Sequence, residues 1–184
     1  RFQTLLTTSN STDELFQVVE RMCLESFPGV SGAIYRMAAS RNMVDRVACW
    51  NWPEGANGAV IDPEECRALR GGQLYVASPG SLEMPCRHTD NLGMPVSISC
   101  CLPLSAQGEI LGVLQLCRFG PASAKASPQN VATALLISEQ FSMALANLQL
   151  REQLRSQSIR DPLTGLFNRR YLEETMESEL ARSA

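Results

Sequence analysis

Cys66, Cys86 and His88 are the residues of this chain best suited to chemistry. Cys86 and His88 stand two positions apart, so a thiolate and an imidazole reach one small volume from a short piece of loop. Cys66 joins them if its segment packs over the same place, and Cys100 or Cys101 can supply a fourth donor. Adjacent positions of a strand point to opposite faces, so only one of that last pair can contribute. Thiolates with imidazole suit zinc or iron. The spacing matches no ribbon or finger, and the plainer reading is a group of small buried thiols beside a loop histidine. No metal is assigned on this ground, and Cys66, Cys86 and His88 stand as weak candidates. Trp50, Trp52 and Tyr75 can line an apolar pocket with Arg70 or His88 as its polar anchor, or equally be ordinary core and rim. The expected ligand pocket is therefore Trp50, Cys66, Arg70, Tyr75, Cys86, His88 and Cys101.

The elements that must position these residues follow from local pattern. Phe2, Leu5 and Leu6 recur at helical spacing, and Ser9–Thr12 is a polar break. Thr12 is able to cap a second helix with Asp13 and Glu14 in its first turn and an apolar stripe of Leu15, Val18, Val19, Met22 and Cys23. Ser31–Met37 and Met43–Trp50 read as an antiparallel hairpin. Asp62–Arg70 reads as a short helix stopped by Gly71-Gly72, followed by a short strand Gln73–Ala77 and an irregular stretch Ser78–Pro95. Ser97–Leu104 and Glu109–Cys117 form a second hairpin, with Gly112 marking a close backbone approach. From Pro128 a helix of roughly 30 residues is allowed, because no glycine falls between Gly120 and Gly165 and no proline between Pro128 and Pro162. The order is helix, hairpin, lid-like middle, hairpin, long helix. The fold class expected is α+β: a mostly antiparallel sheet with helices on one face, plus a long C-terminal coiled-coil helix.

The totals narrow the class. Apolar residues make up 45% of 184, enough for a sizeable core. A net charge of −3 gives no footprint for nucleic acid or an anionic membrane. No apolar run is expected to span a membrane, and no signal peptide is visible. Seven cysteines in no framework spacing imply reduced thiols and a cytoplasmic location. The chain opens mid-pattern at Arg1 and reads as a stretch of something longer.

The element order, with CRALRGGQLYV in the middle and LPLSAQGEILGVLQL near the end, resembles a GAF domain over about Ser11 to Asn147. The matching residues are Cys66, Leu69, Arg70, Gly72, Cys86, His88, Cys101, Pro103, Leu104, Ala106, Gly108, Gly112 and Leu114. The resemblance implies a GAF/PAS-like sheet whose middle loops enclose a pocket for a small-molecule signal, here unknown. Some members attach a bilin through a cysteine followed directly by histidine, but Arg87 intervenes here. Others reduce free methionine sulfoxide with pocket cysteines, which the long helix argues against.

DPLTGLFNRR, immediately after that helix, resembles the D-x-L-T-G-L-x-N-R-R opening of GGDEF domains, the diguanylate cyclase family. Asp161, Leu163, Thr164, Gly165, Leu166, Asn168, Arg169 and Arg170 all match. Locally, Asp161-Pro162 ends the helix, and Asn168 is able to cap a new one carrying Tyr171, Leu172, Met176 and Leu180. The resemblance implies a parent enzyme that joins two GTP into cyclic di-GMP with Mg2+. The family's nucleotide and metal motifs are not in this chain, so no catalytic residue and no cofactor is expected in it.

The expected organisation is a sensory domain at 1–126 with a core of about 11–147, a signalling helix at 127–160, and the start of a GGDEF domain at 161–184. A heptad seam through Ala134, Ser138, Phe141, Leu145 and Leu148 predicts a parallel homodimer. Past Leu148 it meets Glu152 and Arg155, and a shifted seam through Leu150 and Leu154 takes over, so two registers are possible. The alternative is a helix packed on its own sheet up to Leu148 and exposed beyond it. The function expected is a ligand-sensing regulator of a diguanylate cyclase; the alternatives are a dimerisation module without ligand, or a Cys/His redox or metal sensor.

Overall fold

The structure, a computed structural model, describes residues 2–120 and 127–159 and, beyond them, 164, 166–168, 171–172, 175–176 and 182. The GGDEF-like positions Asp161, Leu163, Gly165, Arg169 and Arg170, and Leu180 of the helix after them, lie outside the described residues. Two compact units, Arg1–Ala146 and Asn147–Ala184, make up the chain.

In the first unit, α1 (Phe2–Thr8) and α2 (Thr12–Ser26) lead into β1 (Ser31–Met37) and β2 (Val44–Trp50). Then come β3 (Val60–Ile61), a 3-10 turn (Pro63–Glu65), α3 (Arg67–Gly71), β4 (Tyr75–Ala77) and α4 (Arg87–Asp90). The second hairpin, β5 (Val96–Ala106) and β6 (Glu109–Phe119), precedes α5 (Pro128–Ile159). The six strands form one sheet in the order β3-β2-β1-β6-β5-β4, with every pairing antiparallel. The fold is thus α+β as expected.

Local chemistry explains the boundaries. The cap of α2 is Ser11, one residue earlier than expected: its side chain accepts the Glu14 amide at 3.2 Å, while the Glu14 carboxylate accepts the Asn10 amide at 2.8 Å. The β5–β6 turn places Gln107 and Gly108 at φ 53° and 82°, the two left-handed positions of a tight hairpin. Gly112 sits where a Cβ would lie 2.0 Å from the Tyr35 carbonyl oxygen, the close approach its position implied. Two elements were too short for a pattern to show: β3, in the loop after β2, and α4, inside the stretch read as irregular.

The register sorts the sheet into two faces. Gly32, Leu116 and Cys100 are aligned across β1, β6 and β5, and so are Ala33, Gln115 and Cys101. The first set faces α5: Cys100 and Leu116 line a cavity of about 270 Å³ with Val131 and Ala134 of that helix. The second set faces the short middle segments, where Ala33, Tyr35, Val44, Ile61, Cys66, Ala68, Leu69, Cys86, Cys101 and Val113 form one core cluster.

The heptad seam is corrected by burial. Ala134, Ser138, Phe141, Leu145 and Leu148 are all buried within the single chain. Phe141 meets Phe16 of α2 edge-on, with ring centroids 6.1 Å apart. Within the first unit, Ala134, Ser138, Phe141 and Leu145 therefore have no free surface for a partner helix; the stripe they form is the helix's core-facing side. From Leu150 to Arg155 every side chain is exposed. Up to Leu145 this burial is that of the alternative, a helix packed on its own domain. By length and composition alone Pro128–Arg155 could cross a membrane, contrary to the expectation that no stretch approaches that size. Its burial of Ala134, Ile137 and Phe141 is what an apolar helix of a globular core shows.

Within the second unit, Asn168 caps as the sequence predicts. Its Oδ1 accepts the Tyr171 amide at 2.9 Å, and its carbonyl accepts the Leu172 amide at 3.2 Å. Phe167 and Tyr171 stack with centroids 4.9 Å apart.

Candidate functional site

The segment from Asp62 to Gly71 does not form one helix. The Asp62 carboxylate accepts the Glu64 amide at 2.9 Å and starts a 3-10 turn that closes with the Cys66 amide on the Pro63 carbonyl at 3.1 Å. Cys66 then takes an extended conformation (φ −105°, ψ 112°) before α3 begins. That kink turns its side chain from a helix surface into the core, where it is fully buried.

Cys86 occupies the equivalent place ahead of α4, with extended backbone and its carbonyl accepting the Thr89 hydroxyl at 2.6 Å. One turn of α4 carries His88 inward, while Arg87 stays exposed and reaches toward Glu65 at 4.0 Å. The Asn91 amide donates to Glu65 at 3.0 Å, which ties α4 to the 3-10 turn. The Tyr75 hydroxyl donates to the Met84 carbonyl at 2.7 Å and holds the preceding loop down. Cys101 comes from the sheet itself, paired with Tyr75 on one side and Gln115 on the other.

These elements bring together Cys66, Cys86, His88 and Cys101, all buried, with donor atoms all within 4.8 Å of one another. The Cys101 sulfur lies 3.6 Å from His88 Nε2 and 3.8 Å from the Ser99 hydroxyl. The Arg67 backbone amide donates to the Cys86 sulfur at 3.4 Å. Of the two adjacent cysteines, Cys101 is the one that faces the cluster, as strand alternation requires of one of them. His88 Nδ1 and both amide atoms of Gln115 are buried without a hydrogen-bond partner among the described residues.

The electrostatics follow from this crowding. Hydrogen bonds from Cys101 and then Cys66 hold the Cys86 thiol far below its ordinary range, against the opposing effect of burial. Burial alone would disfavour the imidazolium of His88, but hydrogen bonds and charge from the Cys66 and Cys86 sulfurs outweigh it and raise its pKa to about 9. The same neighbours, with burial, push Cys101 well above the usual thiol value.

Three of the expected pocket residues need correction or comment. Trp50 lies on the other face of the sheet: it pairs with Gly32, and its ring fills the space a Cβ there would need, 2.0 Å from Trp50 Cζ2. Arg70 is exposed in the last turn of α3 and anchors nothing in the core. Tyr75 is half-buried against the cluster, its ring 5.5 Å beneath the Arg67 guanidinium. Trp52 is the tryptophan on the cluster side, meeting Phe119 edge-on at 5.4 Å with Arg46 over its ring at 5.2 Å. Asn51 between the two has φ 47°, a left-handed residue that breaks strand alternation and sends its neighbours to opposite faces. Asparagine is among the residues that tolerate that region, the one sequence hint available.

Three solved structures share this architecture at low identity. A methyl-accepting chemotaxis protein is 17% identical, with a TM-score of 0.64 over 83% of this chain and 99% of that one. The GAF domain from a phosphoenolpyruvate-protein phosphotransferase of Coxiella burnetii is 14% identical, TM-score 0.65, over 83% and 92%. A GAF domain/HD domain protein from Geobacter sulfurreducens is 16% identical, TM-score 0.60, over 82% and 99%. At such identities the likeness speaks to the fold. No curated protein sequence matches the chain. The family model for the GAF domain matches residues 11–145, nearly the whole sheet-bearing unit with the helices that flank it. On that match, and on a sheet and lid arranged as described, the chain belongs to the GAF domain family, regulatory modules of signalling proteins that sense small ligands.

Proposed function

We propose that this chain is the cytoplasmic input module of a diguanylate cyclase, which sets the geometry in which two GTP condense. The observation that carries the reading is the continuity of α5 with DPLTGLFNRR: the last helix of the GAF fold runs to Ile159, and the GGDEF-like opening follows at Asp161. The capping of a new helix by Asn168 is consistent with the start of a second folded domain. The parent activity would use GTP and Mg2+, held by groups beyond this chain.

The module works as a homodimer in this reading, through a face of α5 other than the one first expected. Leu136 and Met143 are 62% and 60% exposed and stand one heptad apart, and Leu150, seven residues further, is also exposed. The test is an assay of GTP conversion by a polypeptide that joins this chain to a complete GGDEF domain. Cyclic di-GMP is expected from it and none from the 184 residues alone. A joined chain that binds Mg2+ and GTP but forms no product at any concentration would refute the cyclase reading.

A second reading, a dimerisation module that takes no organic ligand, is favoured by one observation. The side of the sheet where family members hold a ligand is occupied here by side chains of the domain's own core cluster. Thermal shifts across a small-molecule panel separate the two. A true ligand at 100 times its Kd adds about 2.7 kcal/mol of stability, and no compound does so in the second reading.

A further inference from the structure

Four metal-binding side chains, three thiols and one imidazole, converge in the interior from three separate segments: the kink before α3, the start of α4, and strand β5. Such groups are weak hydrogen-bond partners for one another, and His88 Nε2 is directed at the Cys101 sulfur 3.6 Å away. Burying polar groups this way is unfavourable unless something at their centre satisfies them.

The spacing says what that something is. A tetrahedral zinc ion with bonds of about 2.3 Å to sulfur and 2.0–2.1 Å to nitrogen sets sulfur–sulfur edges of about 3.8 Å and sulfur–nitrogen edges of about 3.6 Å. The Cys101 sulfur and His88 Nε2 are 3.6 Å apart, and no donor pair exceeds 4.8 Å. Closing the remaining edges needs shifts of less than about 1 Å, within the reach of side-chain torsions. An iron–sulfur cluster would spread its four ligands over two or more irons and hold the pairs on different irons farther apart than this. The donor set, three soft thiolates and an imidazole, belongs to zinc or its tetrahedral substitutes rather than to magnesium or calcium. All four positions are protein ligands and all are buried, which describes a closed site with no coordination position for a substrate. The Arg67 amide on the Cys86 sulfur is the kind of outer contact that stabilises a metal thiolate.

We propose that Cys66, Cys86, His88 and Cys101 form a tetrahedral site for one zinc-class divalent ion that fastens the α3 and α4 segments to the sheet. Because the ligands come from distant parts of the sequence, the site exists only in the folded chain, and ion binding is linked to the docking of residues 62–95. The proposal stands or falls without reference to any cyclase.

The experiment begins with metal content of the chain purified under reducing conditions without chelator, where one zinc per chain is expected. X-ray absorption at the zinc edge should resolve three sulfurs at about 2.3 Å and one nitrogen at about 2.0 Å. Cobalt titrated into stripped, reduced protein should give tetrahedral ligand-field bands with strong thiolate charge transfer. Cys86→Ser and Cys101→Ser should weaken metal binding by more than about 100-fold, exceeding the loss typical of an outer-shell change. Cys100→Ser, one residue away on the opposite face, should leave it unchanged. Absence of zinc together with absence of a tetrahedral cobalt spectrum in the wild-type chain would overturn the proposal, and that measurement does not depend on any variant folding. A first shell dominated by oxygen or nitrogen, or a wild-type cobalt spectrum in Cys101→Ser, would overturn it equally.

Discussion

A Cβ at position 112 would sit 2.0 Å from the carbonyl oxygen of Tyr35, a backbone atom held by the β1–β6 ladder and unable to step aside. Gly112→Ala should therefore destabilise the domain by about 3 kcal/mol, read as a lower urea midpoint with unchanged slope. Thiol burial gives a second expectation at this scale. Cys23 and Cys117 are raised by burial from the ordinary value of 9.0 to about 12. A pKa raised on folding means that the unfolded chain releases its proton first. The stabilisation is complete below pH 9.0 and is lost as pH rises through about 12. Melting temperature should fall across that window, and Cys23→Ala should make the fall shallower. Single residues were unevenly legible. Strand alternation narrowed the adjacent cysteines to one donor, and Cys86 and His88 converge as their two-residue spacing suggested. Trp50 was misplaced because Asn51 breaks the alternation that would otherwise relate it to Trp52. Arg70 was misplaced because the kink at Cys66 resets which face of α3 points inward.

Helices and strands with a full period in the sequence were readable; short or broken ones were not. β1 carries the expected limits, and β2, β5 and β6 lie within two residues of theirs. β3 has two residues and α4 four, too few for any periodicity to register. α5 shows a different failure. An apolar stripe at heptad spacing looks the same whether it meets a partner or the helix's own sheet, and here Phe141 and Leu145 meet their own domain. The distinction is testable in two variants. Phe141→Ala should cost about 3–5 kcal/mol of stability, as truncation of a buried aromatic does. Met143→Glu should leave stability within about 0.5 kcal/mol and, if the exposed face pairs, convert the dimer to monomer by analytical ultracentrifugation. At the other end of the fold, Ser11→Ala removes the α2 cap and should cost about 1 kcal/mol in the same unfolding assay.

For the molecule as a whole, the fold class was legible because two hairpins, a lid and a long helix leave few architectures to choose from, while the family was legible in the resemblance carried by CRALRGGQLYV and LPLSAQGEILGVLQL. The compact unit that holds the sheet ends at Ala146, inside α5. A chain ending at Leu148 should accordingly unfold in one cooperative transition, with a melting temperature within a few degrees of the full chain by calorimetry. A loss of cooperativity on that truncation would mean the sheet-bearing unit does not fold by itself.

The turn at Asn51 has an optical consequence. The chain holds two tryptophans, and that turn puts one on each side of the same sheet: Trp50 over Gly32, and Trp52 beneath Arg46 and against Phe119. Their indoles differ in surroundings, one enclosed by the sheet's helical side and the other next to a cation at the edge of the lid. Emission recorded from Trp52→Phe would report the α5 side alone, and Trp50→Phe the lid side alone. The domain thus carries a built-in pair of fluorophores, able to reveal which side responds first when a signal arrives.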